Sequence, residues 1–234
     1  MNEKLKTSFV DGYLHSEGCD WTVMPNGTKA PKGLVRNYGS AFYDLFTNSV
    51  NDKKINQRLN LKDKVILDIG CGSGKFCYDA VNSFSAKKAY GIDIASVGLG
   101  ITDSYASDVI TFFEGDSTEI PLGDNTVDIV TSFLVLEHIP EEDLLRVLSE
   151  MNRVSKEGWI LAIHHMQSHN KHGEPARLTV KKFPWWRKQI SSYMSDIQQI
   201  EIASDNFKWG KGDSIGYSRT VSTSKKFSPP LEIK

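Results

Sequence analysis

The chain has 234 residues, 39% of them hydrophobic, with 28 Lys plus Arg against 29 Asp plus Glu. That length fits one domain with an embellishment. The apolar fraction excludes a disordered chain, and a formal net charge of −1 argues against indiscriminate binding to polyanions. Cys19, Cys71 and Cys77 cannot all pair within one chain and follow no zinc-type spacing, so a reduced, cytoplasmic setting is expected. The opening MNEKLKTSFVDGYLHSEG holds no apolar segment of the signal-peptide kind, and no run approaches about 18 apolar residues. No membrane partner is expected.

Residues 1–36 read as an irregular segment punctuated by Gly12, Gly18, Pro25, Gly27, Pro31 and Gly33. It is expected to cover an acceptor site. From Asn37 to Leu59 the apolar spacing is helical, through Phe42, Leu45, Phe46, Val50, Ile55 and Leu59. An alternation then begins. Lys64–Ile69 reads as a buried strand, Gly74–Phe84 as a helix, Ala89–Ile94 as a strand, Ala95–Ser107 as a helix, and Val109–Glu114 and Asn125–Phe133 as strands. Glu141–Ser155 reads as a helix with apolar residues at Leu144, Leu145, Leu148 and Met151, and Gly158–His164 as a strand. Buried strands alternating with helices specify an α/β fold: a three-layer, doubly wound, mostly parallel sheet. Ile197–Ala203 and Ile215–Thr223 are expected to close it to seven strands, the last inserted antiparallel. The domain thus runs over 37–223 with an insert at 165–195, and 224–234 is expected to be a mobile tail.

The most informative stretch is Val65-Ile-Leu-Asp-Ile-Gly-Cys-Gly-Ser-Gly-Lys75. Gly70, Gly72 and Gly74 fall between a strand and a helix, where glycine permits a tight turn and close ligand approach. Asp93 ends the next strand nineteen residues past Gly74, placed to accept hydrogen bonds from ribose hydroxyls. A dinucleotide site would need GxGxxG, but Lys75 or Cys77 stands where the third glycine belongs. Asp68, inside the strand, would repel a pyrophosphate and suits a cationic ligand.

On these residues the sequence resembles the class I S-adenosylmethionine-dependent methyltransferases of the small single-domain type, over about residues 38–164. DIGCGSG is similar to that family's first motif and GIDI to its second. Gly115-Asp-Ser-Thr-Glu-Ile-Pro-Leu122 is similar to its third, and Asp128-Ile-Val-Thr-Ser-Phe-Leu-Val-Leu-Glu-His-Ile-Pro140 to its fourth. The resemblance implies S-adenosylmethionine as cofactor. It implies that Asp68 and the Gly70–Gly74 backbone hold the methionine part and ribose side. Asp93 would then take both ribose hydroxyls, Ile94 would pack on the adenine, and Asp116 and the Ser117 amide would meet the adenine edge. Phe133 would offer its backbone beside the transferable methyl. Read without the resemblance, a turn residue is the lesser alternative for Asp116, while Asp128 reads as a strand-entry surface residue and Glu137 and His138 as helix-entry residues.

Methyl transfer to a hydroxyl or amine calls for a base with a pKa near the working pH, and histidine is the natural candidate. His164, His165, His169 and His172 follow the fifth strand of the alternation. Strand alternation sends His164 and His165 to opposite faces, and His165 or His169 is the expected base. No metal site is expected, because His165 and His169 lie in a stretch without helical periodicity. Residues 171–188 carry six basic side chains against Glu174, a net +5, together with Phe183, Trp185 and Trp186. Trp185, Trp186 and Arg187 are therefore candidate contacts to an anionic, ring-bearing acceptor: a nucleotide sugar, a glycan or, less favoured, a nucleic acid. The Pro-Trp-Trp stretch resembles methyltransferases of sugar and surface-polysaccharide pathways. The same run also reads as a basic helix whose tryptophans pack on the sheet. The leading expectation is methyl transfer to an oxygen or nitrogen of a small polar, sugar-like molecule. An RNA methyltransferase and a non-catalytic cofactor-binding scaffold are the alternatives. Tyr38 and Tyr43 are candidates to close over the cofactor, or to pack in the core.

Overall fold

The computed structural model describes residues 21–31, 39, 40, 43, 60–95, 100–165, 167, 175, 177–202 and 219–226. Five parallel strands carry the body: β3 (Val65–Ile69), β4 (Lys88–Asp93), β5 (Ile110–Glu114), β6 (Val127–Phe133) and β7 (Ser155–His164). β8 (Met194–Ile202) and β9 (Arg219–Lys226) continue the sheet, in the order β5-β4-β3-β6-β7-β9-β8. β9 runs antiparallel between β7 and β8, the inserted antiparallel member that the sequence predicts. It extends to Lys226, so residues 224–226, expected in the tail, belong to the sheet.

The strands read as continuous apolar runs because both faces are covered. Ile66, Ile160 and Ala162 point to one side, where α1 (Lys75–Asn82) packs with Phe76, Cys77 and Ala80. Leu67, Ile69, Trp159, Leu161 and Ile163 point to the other. There α2 (Glu141–Val154) buries Leu144, Val147, Leu148, Met151 and Val154, and α3 (Phe183–Ile190) buries Trp186 and Ile190. Leu145, though apolar, is 54% exposed. It lies off the stripe that the 3.6-residue period sets through 144, 147, 148 and 151, and Val147 takes the inward place. Arg153, in the last turn of α2, donates to the Ile120 and Leu122 carbonyls and pairs with Glu150 and Asp124, which fastens the 120–125 loop to the helix. Asp128 accepts from the Val65 N–H at 2.8 Å and pairs with Lys156, the structural role expected of it.

Two local expectations fail. Residues 21–31 are a β-hairpin, not irregular: β1 (Trp21–Val23) pairs with β2 (Lys29–Pro31). Its turn closes through the Gly27 N–H on the Met24 carbonyl, with Pro25 second in the turn and Gly27 at φ +89°. The helix expected over 95–107 is reduced, among the described residues, to a 3₁₀ turn at Thr102–Ser104. Gly100 enters it at φ +67°, and the hairpin holds this segment by the bonds described below. Gly39, Ser40 and Tyr43 are helical, as expected. Ser40 Oγ donates to Asp79 of α1, and Tyr43 is buried, its ring 4.5 Å from Phe84 and its hydroxyl accepting from the Leu61 N–H. Tyr43 is thus a core residue; Tyr38 lies outside the described residues.

Candidate functional site

The sheet reverses winding at β3, from which β4 and β5 lie to one side and β6 and β7 to the other. Ligand sites of open α/β sheets form at the strand C-terminal ends beside such a point. The turn leaving β3 has Gly70, Gly72 and Gly74 at φ +68°, +52° and +80°, a region costly for other residues. A Cβ on Gly70 would lie 2.4 Å from the Val135 side chain, and one on Gly74 2.4 Å from the Phe112 ring. Val135 and Phe112 therefore wall the turn, and neither is signalled by the motif spacing.

Asp93 ties this turn to the exit of β4. Its Oδ2 accepts from the Gly72 N–H at 3.0 Å, and its Oδ1 from the Ala95 N–H at 2.9 Å. Its backbone carbonyl takes the Gly115 N–H at 3.1 Å, which brings in the turn after β5. A carboxylate accepts up to about four hydrogen bonds, so these two fix its plane without by themselves exhausting it. Ile94 beside it is half-buried. Asp116 Oδ1 accepts from the Thr118 N–H at 2.9 Å and its carbonyl from Glu119. The structure thus gives Asp116 the turn-forming role, with Ser117 half-buried in the same turn. Phe133 ends β6, buried, its ring edge-on to Phe76 at 4.9 Å. Leu134 follows at φ +62°, turning the chain so that Val135 reaches over Gly70.

Asp68 lies beneath the turn, 4% exposed. Burial pushes its carboxyl up to about 7, opposed by the bond from Thr131 Oγ1 at 2.7 Å and reinforced by the negative charge of Asp93. Burial likewise raises the thiols of Cys71 and Cys77, both free. Lys75, the cation that opens α1, is engaged with Asp79. Two carboxylates beside the glycine turn suit a cationic nucleoside better than a pyrophosphate, and so fit S-adenosylmethionine.

The β6–β7 side of the edge is built differently. His165 follows β7, half-buried, with Nδ1 2.9 Å from the Lys181 carbonyl. Gln167 pairs with the Arg177 backbone at both ends of its amide. The Leu178 and Thr179 N–H groups both donate to the Glu137 carbonyl, and Thr179 Oγ1 donates to the Ile139 carbonyl at 2.7 Å. Lys181 pairs with Glu141 and stands over the Trp185 ring. The segment 177–181 is thereby laid across the ends of β6 and β7. Glu137, read from sequence as a helix-entry residue, sits in a 3₁₀ turn with a fully buried side chain. Trp185 is half-buried and Arg187 exposed on α3. Trp186 is fully buried among Trp159, Leu148 and Ile190; it packs the helix on the sheet, so it is corrected from an acceptor contact to a core residue. His164, the last residue of β7, is buried. His169 and His172 lie outside the described residues.

Residues 66–158 match the family described as "Methyltransferase domain". The chain is 38% identical over 112 residues to ltbC of Aspergillus luteorubrus, named a methyltransferase, covering 43% of this chain and 39% of that one. It is 28% identical over 134 residues to the demethylmenaquinone methyltransferase of Geobacillus stearothermophilus, covering 52% and 56%. It is 33% identical over 194 residues to protein arginine N-methyltransferase 1 of Chlamydomonas reinhardtii, covering 76% and 56%. The chain therefore spans less than two thirds of the length of each. Among solved structures, a SAM-dependent methyltransferase of Methanosarcina mazei superposes with a TM-score of 0.55 at 16% identity, covering 75% of this chain and 97% of that one. The [4+2]-cyclase SpnF superposes at 0.54 and 17%, covering 73% and 78%. The fold is common to both; by itself it does not select a reaction.

Proposed function

We propose that the chain carries a class I, S-adenosylmethionine-dependent methyltransferase domain and that the protein transfers the cofactor's methyl group to an oxygen or nitrogen of a small, polar, anionic, sugar-like acceptor. One juxtaposition carries this reading. Asp93, fixed by Gly72 and Ala95, and His165, fixed by the Lys181 carbonyl, stand at the C-terminal ends of strands in one sheet.

When bound, S-adenosylmethionine supplies a sulfonium methyl already activated for in-line displacement. The chain then has to bind, orient and deprotonate. Asp93 is placed to accept from the ribose hydroxyls, and Ile94 to pack on the adenine. The turn holding Asp116 and Ser117 would border the adenine edge, and the Phe133 backbone the cofactor's amino group. Asp68 and the Gly70–Gly74 backbone would hold the methionine part, with the Asp68 carboxylate countering its positive charge. A carbonyl can only accept, so His165 Nδ1 donates to Lys181, and in the neutral ring Nε2 is the basic nitrogen. Nε2 takes the acceptor's proton. Lys182, Arg187 and Lys188, all exposed on or beside α3, favour a negatively charged acceptor over a neutral lipid.

The test is turnover with methyl-labelled cofactor across nucleotide sugars, uronic acids, amino sugars and transfer RNA. A labelled sugar is expected. His165→Ala is expected to lower kcat by about 10²–10⁴ with an unchanged Kd for S-adenosylhomocysteine. Equal kcat in the variant removes the base, and label appearing only in RNA replaces the acceptor.

A further inference from the structure

The hairpin β1–β2 precedes the matched domain of residues 66–158, and its docking place has a use. Met24 and Ala30, both buried, close on Ile101, with Tyr105 at the edge of the cluster. Asn26, at the hairpin tip, makes three bonds. Its N–H donates to Ser104 Oγ at 3.2 Å, its Nδ2 donates to the Gly100 carbonyl at 3.3 Å, and its Oδ1 accepts from the Thr28 N–H at 3.0 Å. One residue thus shapes the turn and holds both ends of the segment 100–104. That segment lies just beyond the chain that leaves Asp93 through Ile94 and Ala95.

Two routes run from the docked segment to the cofactor cradle. Along the chain, Ala95 is buried and its N–H orients Asp93 Oδ1. Across the surface, the Tyr105 ring lies 5.3 Å from Tyr78 of α1. Lys75 Nζ stands 5.2 Å from the same Tyr78 ring, and Lys75 opens the helix that Gly74 precedes. Both routes end on the nucleoside side of the site, at Asp93 and the glycine turn, away from His165.

We propose that Asn26 is a positioning residue for the nucleoside half of the bound cofactor: through Gly100 and Ser104 the hairpin clamps the segment 100–104, which packs through Tyr105 on Tyr78 of α1, and so holds the cradle of Asp93 and Ile94 ready for ribose and adenine. The hairpin then serves cofactor affinity, where the sequence alone suggested a cover over the acceptor. This rests on the assignment of S-adenosylmethionine to the Asp93 cradle.

The full chain is titrated calorimetrically with S-adenosylhomocysteine and, separately, with 5′-methylthioadenosine, which keeps the nucleoside and lacks the amino-acid group. Asn26→Ala removes all the side-chain bonds. Asn26→Asp keeps the Oδ1 acceptor for Thr28 but lacks the Nδ2 donor to Gly100, so it separates the clamp from the turn. Both variants are expected to weaken both ligands by the same factor, about fivefold to tenfold, at temperatures well below their melting points. Wild-type affinity in Asn26→Asp overturns the proposal, as does a lowered Tm in either variant with unchanged Kd, which is the mark of a merely structural hairpin. Asp93→Ala run alongside tells the two failures apart. If it too binds with wild-type affinity, the cradle assignment falls; if it alone loses binding, only the clamp falls.

Discussion

The two halves of the sheet's C-terminal edge are held by different means. Around β3, β4 and β5 the groups are set by backbone: three glycines in the left-handed region, and amides of Gly72 and Ala95 on Asp93. All of this lies within strand–turn–helix–strand units, where local chain geometry decides the outcome. Around β6 and β7 the wall is a segment brought from afar. Thr179 reaches Ile139 across 40 residues, and His165 reaches Lys181 across 16. On the proposed reading, the first arrangement serves the cofactor and the second the acceptor. Variants should therefore separate them, with damage to the first half appearing in stability and cofactor binding and damage to the second in turnover.

The largest effect is expected at Gly70. Alanine there must adopt a left-handed conformation, costing about 1–2 kcal/mol, and must displace Val135 from 2.4 Å, an overpacking cost of about 1–3 kcal/mol. Urea unfolding of Gly70→Ala should show a loss of about 2–5 kcal/mol. A loss below roughly 0.5 kcal/mol would mean that the turn is not the rigid part of the edge.

Asp68 comes next. Its carboxyl is pushed up to about 7 in the fold, against an ordinary aspartate's 3.8. Between those pH values the native state holds a proton that the unfolded state has released, so stability falls as pH rises from about 4 to about 7. The difference approaches roughly 4 kcal/mol at about 1.4 kcal/mol per pH unit. Asp68→Asn should remove that slope, being more stable than wild type at pH 8 and nearly equal to it at pH 4. Parallel stability curves for the two proteins would refute the buried, protonated carboxyl. Cofactor affinity should move the other way with pH. A cationic ligand favours the carboxylate, so wild-type Kd for S-adenosylmethionine should rise as pH drops below about 7, by up to about tenfold per unit. Asp93→Ala should weaken the same titration by about 1–3 kcal/mol, the loss of a charged partner for ligand hydroxyls. An unchanged Kd would displace the ribose from this carboxylate.

What the sequence reveals follows the same division. The glycine turn and Asp93 are legible because a strand, a tight turn and a crossover leave few alternatives for their relative placement. Val135 and Thr131 are not, since their roles depend on β6 lying beside β3, a fact of sheet order. Leu145 reads as core only while every apolar residue counts equally; the stripe through 144, 147, 148 and 151 excludes it. The pair Trp186 and Ile190, four residues apart, marks an inward helix face in the same way. The hairpin carried its own signal, Pro25-Asn26-Gly27 between short apolar flanks. Among the described residues of the helix expected over 95–107, Thr102–Ser104 is a 3₁₀ turn, and the bonds of Asn26 to Gly100 and Ser104 span more than 70 residues, which no local pattern contains.

The smallest effect, and the sharpest test of the division, is at Thr179. Valine keeps its shape but removes the hydroxyl that donates to the Ile139 carbonyl at 2.7 Å, in a residue only 1% exposed. One lost bond with a carbonyl left unpaired should cost about 1 kcal/mol of stability. The neighbouring N–H bonds to Glu137 keep the segment attached, so the loss is one of placement, passed through Lys181 to the ring of His165. Thr179→Val should bind S-adenosylhomocysteine like wild type while its turnover on the labelled acceptor falls. If the variant loses cofactor affinity and keeps its rate, the two halves of the edge are one mechanical unit and the division drawn between them is wrong.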